Sequence, residues 1–216
     1  MITINAGQST SFLRIADAIE AAKAYAPMPV TIHIAPGRYH EKLTVSQPHV
    51  TLMGDDASNT ILTYDDYARE IMPDGIKRGT FRTYTLFLDA PDITLCNLTV
   101  ENAAGAGKEV GQAIALYAEG EGIRVENCRL IGSEPNTCYL GRPWREYAKV
   151  VILNSEIGDH IKPEGWHDWG KVDAHDTVYF AEYNNYGPGA AGTRPSWTHT
   201  LTDTEAGKYT YASVFN

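Results

Sequence analysis

A five-residue phrase recurs in this chain: Ile93-Thr-Leu-Cys-Asn97, Ile123-Arg-Val-Glu-Asn127 and Val150-Val-Ile-Leu-Asn154, with a weaker copy, Val178-Tyr179-Phe180, before Asn184. In each copy, apolar residues alternate with residues of any type before the Asn. The successive Asn residues lie 30, 27 and 30 positions apart. Alternation of this kind is typical of a β-strand that buries one face. Asn suits the bend that follows because it tolerates a left-handed backbone. A near-constant period of this length predicts a solenoid of stacked coils.

The repeat predicts an all-β fold, a right-handed parallel β-helix that forms a single domain over residues 1–216. Each coil has one apolar face, which it buries by stacking against the next coil. A β-sandwich is the alternative, but it would show hairpin turns every ~8–12 residues, a shorter period than the one observed. With 43% hydrophobic residues, the chain has enough apolar side chains for one continuous core.

One short helix is predicted near the N-terminus. Its apolar stripe consists of Phe12, Ile15, Ile19 and Ala22. Its candidate N-terminal caps are Ser9, Thr10 and Ser11. We expect a helix over residues 11–25 that covers the open end of the solenoid and shields its unpaired strand edges.

The composition argues against several classes of function. The net charge is −9 and no run of Lys or Arg forms a basic face, so no nucleic-acid partner is expected. No stretch reaches the roughly 18 apolar residues of a membrane helix. The first residues lack the basic and apolar regions of a signal peptide, so we expect either an intracellular protein or a mature chain.

Neither a disulfide framework nor a metal or cofactor site is predicted. The three cysteines, Cys96, Cys128 and Cys138, are too few for a disulfide scaffold and are expected to be small buried apolar side chains. The pairs Asp55-Asp56 and Asp65-Asp66 are interpreted as solvated turns and not as calcium ligands. Because a capped solenoid has little unpaired edge, a monomer is expected.

Ordered motifs run along nearly the whole chain. The most specific are Tyr139-Leu-Gly141-Arg142-Pro143-Trp144 and Gly158-Asp159-His160-Ile-Lys-Pro163-Glu-Gly165-Trp166. The others are Gly37-Arg-Tyr39-His-Glu41, Leu52-Met-Gly54-Asp55, Gly79-Thr80-Phe81, Leu98-Thr-Val-Glu-Asn102, Gly111-Gln112-Ala113 and Glu182-Tyr-Asn-Asn-Tyr-Gly187. In kind and order these motifs resemble those of the pectin methylesterases (pectinesterases), parallel β-helix enzymes that act on methyl-esterified homogalacturonan, or pectin, and are typically secreted.

The resemblance implies ester hydrolysis by two aspartates. One Asp attacks the methyl-ester carbonyl, and a second, protonated Asp gives a proton to the leaving methoxide. Two Gln amides stabilise the oxyanion, and an Arg holds the nucleophile ionised. Gln112 matches one of these glutamines and Arg142 matches the Arg. The alternative for Gln112 is a hydrogen bond within the strand stack, and for Arg142 it is a structural salt bridge.

The resemblance also implies a cleft in which aromatic faces bind galacturonate rings. Trp144 matches a sugar platform, with core packing as its alternative. Thr80 matches a substrate contact, with an ordinary strand residue as its alternative. Trp166 is a weaker candidate for substrate binding, and both Trp166 and Trp169 are interpreted mainly as packing residues. Pectin is the implied partner, and no cofactor is implied.

The segment that should carry the catalytic aspartates is missing. The family has a G-Y-Q-D-T strand and a D-F-I-F-G strand between its G-Q-A and L-G-R-P-W motifs, but residues 117–139 of this chain contain no Asp. The phrase Asn127-Cys-Arg-Leu-Ile-Gly132 fits two places in the family pattern, one before and one after those strands. We therefore predict that whole coils have been lost near residues 128–138, which a solenoid tolerates because each coil contacts only its neighbours.

This loss leads to competing hypotheses about enzymatic activity. The first hypothesis is a pectin methylesterase by ancestry whose ester hydrolysis is abolished or very low. Glu119, Glu121 and Glu126 lie near the right coil, but a productive attack needs a carboxylate within about 3–3.5 Å of the carbonyl. The alternative is a non-catalytic pectin-binding module that uses Gln112, Arg142 and Trp144. A calcium-dependent lyase is disfavoured because clustered acidic ligands are lacking.

Overall fold

The computed structural model describes residues 2–132 and 138–209, which consist mainly of short strands. The strands are β1 (Ile2–Ala6), β2 (Val30–Ile34), β3 (Gly37–His40), β4 (Leu43–Val45), β5 (Val50–Gly54), β6 (Thr60–Tyr64), β7 (Leu86–Leu88), β8 (Thr94–Cys96), β9 (Thr99–Asn102), β10 (Leu116–Ala118), β11 (Ile123–Glu126), β12 (Arg129–Ile131), β13 (Lys149–Leu153), β14 (Glu156–Ile157), β15 (Tyr179–Tyr183) and β16 (His199–Thr200). The helices are α1 (Ile15–Ala22), α2 (Gly107–Val110) and α3 (Asp203–Ala206), with 3₁₀ turns at Lys23–Tyr25, Thr80–Arg82, Val172–Asp176, Pro188–Ala190 and Gly207–Tyr209.

The named strands of the described residues form three parallel sheets. The first sheet has the order β1-β2-β5-β8-β11-β13-β15-β16, the second β3-β6-β9-β12-β14, and the third β4-β7-β10. Strands that are neighbours in a sheet come from successive coils, since the chain visits the sheets in turn. The predicted parallel β-helix is therefore confirmed.

The recurring phrase forms adjacent strands of the first sheet, namely β8, β11, β13 and β15. The Asn that follows each strand has a left-handed backbone, with φ of 55°, 51°, 49° and 49° at Asn97, Asn127, Asn154 and Asn184. Two pairs of their side chains bond across the coils: Asn127 Nδ2 donates to Asn97 Oδ1 at 3.3 Å, and Asn184 Nδ2 to Asn154 Oδ1 at 3.0 Å. These asparagines form the bends between strands.

The N-terminal helix α1 lies against the first coil, in contact with β1, β2 and β4. It buries one apolar face, formed by Ile15, Ala18, Ile19 and Ala22. The helix is shorter than the expected 11–25, because the backbone of Phe12 instead forms a parallel bridge with Ala6. The helix covers the end of the solenoid as predicted.

The start of α1 is capped by a distant carboxylate and not by its preceding hydroxyl residues. The residue before the helix, Arg14, makes no side-chain cap. Glu41, which follows β3, accepts the backbone N–H groups of Ile15 and Ala16, each at 3.0 Å. The prediction of Ser9, Thr10 and Ser11 as caps was therefore wrong. A carboxylate suits this position because the first N–H groups of a helix are unpaired and carry partial positive charge.

The third sheet ends at β10, although the first sheet continues through three further strands, β13, β15 and β16. The segment that begins at Cys138 contacts the following coil through two single bridges, from Cys138 to Ile161 and from Gly141 to Trp166. The coil loss expected near residues 128–138 falls partly outside the described residues. It remains a prediction.

The three cysteines differ in burial, and one residue of the acidic pairs is buried. Cys128 is buried, and burial raises its pKa to about 12, while Cys96 and Cys138 are half-buried. Asp66 is not the solvated turn residue that was expected, because it is buried between Lys42 and Arg78, whose nitrogens lie 2.5 Å and 2.9 Å from its carboxylate. This ion pairing satisfies a charge that burial alone would disfavour.

The search for membrane and metal features covers residues 2–132 and 138–209. No helix in these ranges has the length and apolar character needed to cross a membrane. In the same ranges, no group of three or more His, Cys, Asp or Glu side chains is arranged to hold a metal ion.

Candidate functional site

A cavity of ≈ 160 Å³ lies beside β10, between the last strand of the third sheet and the segment that begins at Cys138. Its outer part is lined by exposed or half-buried side chains, among them Thr80, Gln112, Arg142, Trp144 and Trp169. Its inner part reaches buried core residues, among them Ile123, Val125, Leu130, Ile152 and Phe180. The cavity thus joins the predicted site residues to the interior of the solenoid.

Thr80 and Gln112 are brought together at the cavity. The hydroxyl of Thr80, in a 3₁₀ turn, donates a hydrogen bond to Oε1 of Gln112. The Nε2 protons of Gln112 have no acceptor among the described residues. An amide N–H is the group that stabilises an oxyanion. The geometry is compatible with the predicted role of Gln112, which stays a prediction, as does the predicted substrate contact of Thr80.

Arg142 contacts an aromatic ring instead of a carboxylate. Its guanidinium carbon lies 5.0 Å from the centre of the Tyr139 ring. Lys162 lies near the same ring, with Nζ 4.8 Å from the ring centre, and donates to the Tyr139 hydroxyl at 3.3 Å. Within residues 2–132 and 138–209, neither Arg142 nor Lys162 forms an ion pair with a carboxylate. The alternative of a structural salt bridge for Arg142 is therefore not seen in this part of the chain.

Aromatic rings form a continuous surface at the cavity, which we call the aromatic surface: Phe81, Tyr117, Trp144 and Trp169 line the cavity, and Phe87 extends the surface beside Tyr117. Tyr117 stacks on Phe87, with 4.6 Å between ring centres and 12° between planes. Trp144 makes edge contacts with Phe81 at 4.9 Å and with Trp169 at 4.7 Å. Phe81 is 41% exposed and Trp169 is 43% exposed, so the surface is open to solvent. Trp144 belongs to this surface and not to the core.

Two residues of the aromatic surface, Phe87 and Tyr117, were not predicted from the sequence as site residues. Phe87 and Tyr117 are the central residues of β7 and β10 and lie in register. Their outward direction follows from strand alternation, because the flanking Leu86 and Leu88 are buried. The outward direction of both rings could therefore have been predicted from the sequence. The strand register that places one ring on the other could not. Trp169 was interpreted as packing, whereas the structure places it on this surface.

The described lining of the cavity is poor in carboxylates. Of the described residues that line it, Glu119 is the one carboxylate, and it accepts a hydrogen bond from the hydroxyl of Tyr117. Burial, followed by the hydrogen bond to Glu119 and the charge of that residue, raises the pKa of Tyr117 well above its ordinary value. Glu121 and Glu126 do not line the cavity, and Glu126 is paired with Arg124.

His160 lies at the inner part of the cavity and is 5% exposed. It fits against two glycines: a Cβ at Gly132 would lie 2.9 Å from its ring, and one at Gly158 would lie 2.7 Å from Nδ1. Nδ1 has no hydrogen-bond partner among the residues that the structure describes. Burial lowers the pKa of His160 to about 4, although the charge of Asp159 acts in the opposite direction. The ring is therefore neutral at pH 7.

Trp166 is separate from the aromatic surface. It is 1% exposed, packs on Phe180 with 4.6 Å between ring centres, and donates its Nε1 proton to Glu182 at 2.8 Å. Its ring faces are therefore covered by protein, which corrects the expectation that it contacts substrate. The interpretation as a packing residue agrees with this position. Of the five predicted site residues, the structure gathers Thr80, Gln112, Arg142 and Trp144 at the cavity and leaves Trp166 in the core.

Comparisons with known proteins agree with this architecture. The chain is 28% identical over 287 residues to "Probable pectinesterase/pectinesterase inhibitor 23" of Arabidopsis thaliana, covering 92% of this chain and 49% of the relative. It is 44% identical over 101 residues to "Pectinesterase 2" of the same plant, covering 41% of this chain and 17% of that protein. The chain spans about half the length of the first curated relatives that it matches.

Solved structures share the fold. The pectin methylesterase PemA from Erwinia chrysanthemi superimposes with a TM-score of 0.50 and 20% identity, covering 99% of this chain and 96% of that one. The Escherichia coli protein ybhc gives a TM-score of 0.64 and 15% identity, covering 86% of this chain and 55% of that one. The pectinesterase family model matches residues 1–134 and again residues 119–216. Since these two matches together run from one end of the sequence to the other, this chain belongs to the pectinesterase family.

Proposed function

We propose that this chain keeps the pectinesterase scaffold and its pectin-facing groove, but that it hydrolyses the methyl esters of homogalacturonan very slowly or not at all. One observation carries the proposal. The cavity that gathers Gln112 and Arg142 is lined by a single carboxylate among the described residues, Glu119, and the sequence has no Asp between Asp92 and Asp159.

The chemistry explains why this matters. Ester hydrolysis by carboxylates needs one ionised nucleophile and a second group that first donates and then removes a proton. A single Glu cannot fill both roles in the same step. Glu119 is also held by the Tyr117 hydroxyl, which lowers its nucleophilicity by occupying a lone pair. Each missing group costs about two to four orders of magnitude in rate.

The two family-model matches support the loss of coils. Residues 119–134 belong to both matches, as expected if the chain passes from one repeat to the equivalent point of a later repeat. The alignment with the first Arabidopsis relative has 287 positions but holds only 92% of 216 residues, so about 90 positions lack a residue of this chain. At 27 to 30 residues per coil, as read from the Asn spacings, this corresponds to about three coils.

Methanol release from highly esterified pectin tests the proposal. PemA from Erwinia chrysanthemi, assayed at equal concentration, provides the reference. We expect this chain to release methanol at least about a thousandfold more slowly. A rate within tenfold of the reference would contradict the proposal, and loss of that rate in Glu119→Gln would then identify Glu119 as a replacement carboxylate.

A second candidate function is non-catalytic binding of pectin. The aromatic surface favours it, because exposed rings at sugar-binding sites provide flat apolar contact area, and Arg142 lies beside it. Binding of esterified pectin should weaken by at least about 1 kcal/mol in Trp144→Ala or Arg142→Ala, or about fivefold in affinity. If neither variant weakens binding to that extent, the binding function is excluded. Light scattering during the same experiments tests the expected monomer.

A further inference from the structure

Two cations share one aromatic ring at the edge of the cavity. Arg142 and Lys162 lie 5.0 Å and 4.8 Å from the centre of Tyr139, which places the two charges less than about 10 Å apart. Both side chains are half-buried. Like charges at this separation repel each other unless an anion lies between or beside them. The ring face offsets a part of this cost through cation–π attraction.

No carboxylate of the described residues neutralises these charges. The acidic residues nearest in sequence are Glu146 for Arg142, and Asp159 and Glu164 for Lys162; all three are exposed and form no ion pair among the described residues. Glu119, which lines the same cavity as Arg142, accepts a hydrogen bond from the hydroxyl of Tyr117. Within residues 2–132 and 138–209, the guanidinium of Arg142 therefore has no carboxylate partner, and it lines a cavity open to solvent.

The aromatic surface identifies the kind of anion. Trp144 is two residues from Arg142, lines the same cavity and stands edge to face with Trp169 and Phe81. A ligand that fills this place should combine a flat sugar ring with a planar anionic group. A carboxylate fits the guanidinium fork with two parallel hydrogen bonds. The carboxylated sugar of pectin has both features once its methyl ester has been removed.

We propose that Arg142, assisted by the charge of Lys162, binds the free carboxylate of a de-esterified galacturonate residue, so that the groove prefers the acid form of homogalacturonan to its methyl ester. This inference rests on the proposed binding of pectin and adds the chemical form of the sugar. The methyl ester carries no negative charge, and its methoxy oxygen is a weaker acceptor than a carboxylate oxygen. The ester therefore cannot replace the acid at this position. Arg142 makes the direct contact, because it lines the cavity and Lys162 does not.

Short oligomers are the suitable probes. The chain carries a net charge of −9, which opposes the approach of a long polyanion and would mask a local preference. NMR titrations at pH 7 should therefore compare trigalacturonate with its fully methyl-esterified form. We expect the acid form to bind at least about tenfold more tightly than the ester.

Four variants locate the preference. Arg142→Gln should weaken binding of the acid form about tenfold and Lys162→Gln about threefold, and both should leave the ester form within twofold. Trp144→Ala should weaken both forms, because it removes the sugar contact. Lys149→Gln is the matched control, since this exposed lysine at the start of β13 lies outside the cavity and its loss should change neither form.

The outcomes separate this inference from the proposed function. If neither trimer binds, pectin binding itself fails, and the carboxylate preference fails with it. If both bind but the ester binds as tightly as the acid, only the carboxylate preference is overturned. Equal weakening of both forms in Arg142→Gln would also overturn it, because a structural role would produce that result. Should Arg142→Gln lose its β-sheet circular dichroism, the Lys162→Gln titration decides on the same criteria.

Discussion

Leu116 pairs in register with Leu86 on the neighbouring strand of the third sheet, yet Leu86 is completely buried and Leu116 is not. Leu43, on the other side of Leu86, is also buried. The three side chains form one row that crosses the solenoid from coil to coil. Beyond Leu116 the row meets the cavity, because the described part of the chain adds no strand to the third sheet after β10. The core is thus continuous up to β10 and incomplete beyond it.

Matched truncations should detect this difference in packing. Leu86→Ala removes a side chain with neighbours on both sides and should lower the free energy of unfolding by about 3 kcal/mol. Leu116→Ala enlarges an existing cavity and should cost about 1 kcal/mol, because fewer contacts are lost. Urea unfolding followed by circular dichroism measures both values. Equal losses would show that Leu116 is as well packed as Leu86.

Filling the cavity should stabilise the protein. Ala118 lines the cavity and lies in register with the buried Leu88. Ala118→Leu places a larger apolar side chain in that row and should raise the free energy of unfolding by about 1 kcal/mol. Ala18→Leu is the control: Ala18 is fully buried in α1, so overpacking there should destabilise by about 1–3 kcal/mol. Destabilisation by Ala118→Leu would show that the cavity cannot accept the added atoms.

The recurring phrase was sufficient to predict the fold. It places an apolar alternation and an Asn bend in each coil, and the same geometry repeats because each coil packs only on its neighbours. The cap of α1 could not be predicted in this way, since Glu41 reaches Ile15 only after the chain has turned through β2 and β3. A contact between residues 26 positions apart depends on the register of the coils and leaves no local signal.

The candidate site was predictable only in part, for a related reason. The motif match singled out Gln112 and Arg142, but the sequence could not show that Arg142 packs on Tyr139 or that Thr80 donates a hydrogen bond to Gln112. The two tryptophans, Trp144 and Trp166, are both in specific motifs, yet one is on the cavity wall and the other is in the core. Burial of a Trp depends on the layer that covers it, which a pattern of residue types does not specify.

The partner of Trp166 leads to a third prediction. Glu182 is largely buried and accepts two hydrogen bonds from Arg194, at 2.7 Å and 3.0 Å, as well as the one from Trp166. Glu182→Ala leaves the buried guanidinium of Arg194 without its counter-charge and should cost about 3 kcal/mol in the free energy of unfolding. Lys23→Ala breaks an exposed ion pair with Glu20 and should cost less than about 0.5 kcal/mol. Similar costs for the two variants would contradict the structural role of Glu182.

The buried His160 leads to a prediction about pH. Burial lowers its pKa to about 4 in the folded chain, against 6.5 for an ordinary His. The unfolded chain therefore binds more protons between these two values, and stability falls as the pH decreases from about 6.5 to about 4. The full contribution, present above pH 6.5, is about 3 kcal/mol. Below pH 4 both states are protonated, and this residue adds no further slope.

Substitution isolates this contribution from the other titrating groups. His160→Phe keeps an aromatic ring between Gly132 and Gly158 but cannot be protonated. Urea unfolding at intervals from pH 4 to pH 7 should show a shallower loss of stability in this variant than in the unmodified chain. His40→Gln, which removes an exposed imidazole paired with Asp65, should retain the loss. If His160→Phe and the unmodified chain lose stability in parallel, the prediction is wrong, because the ring then accepts its proton in the folded state as readily as in water.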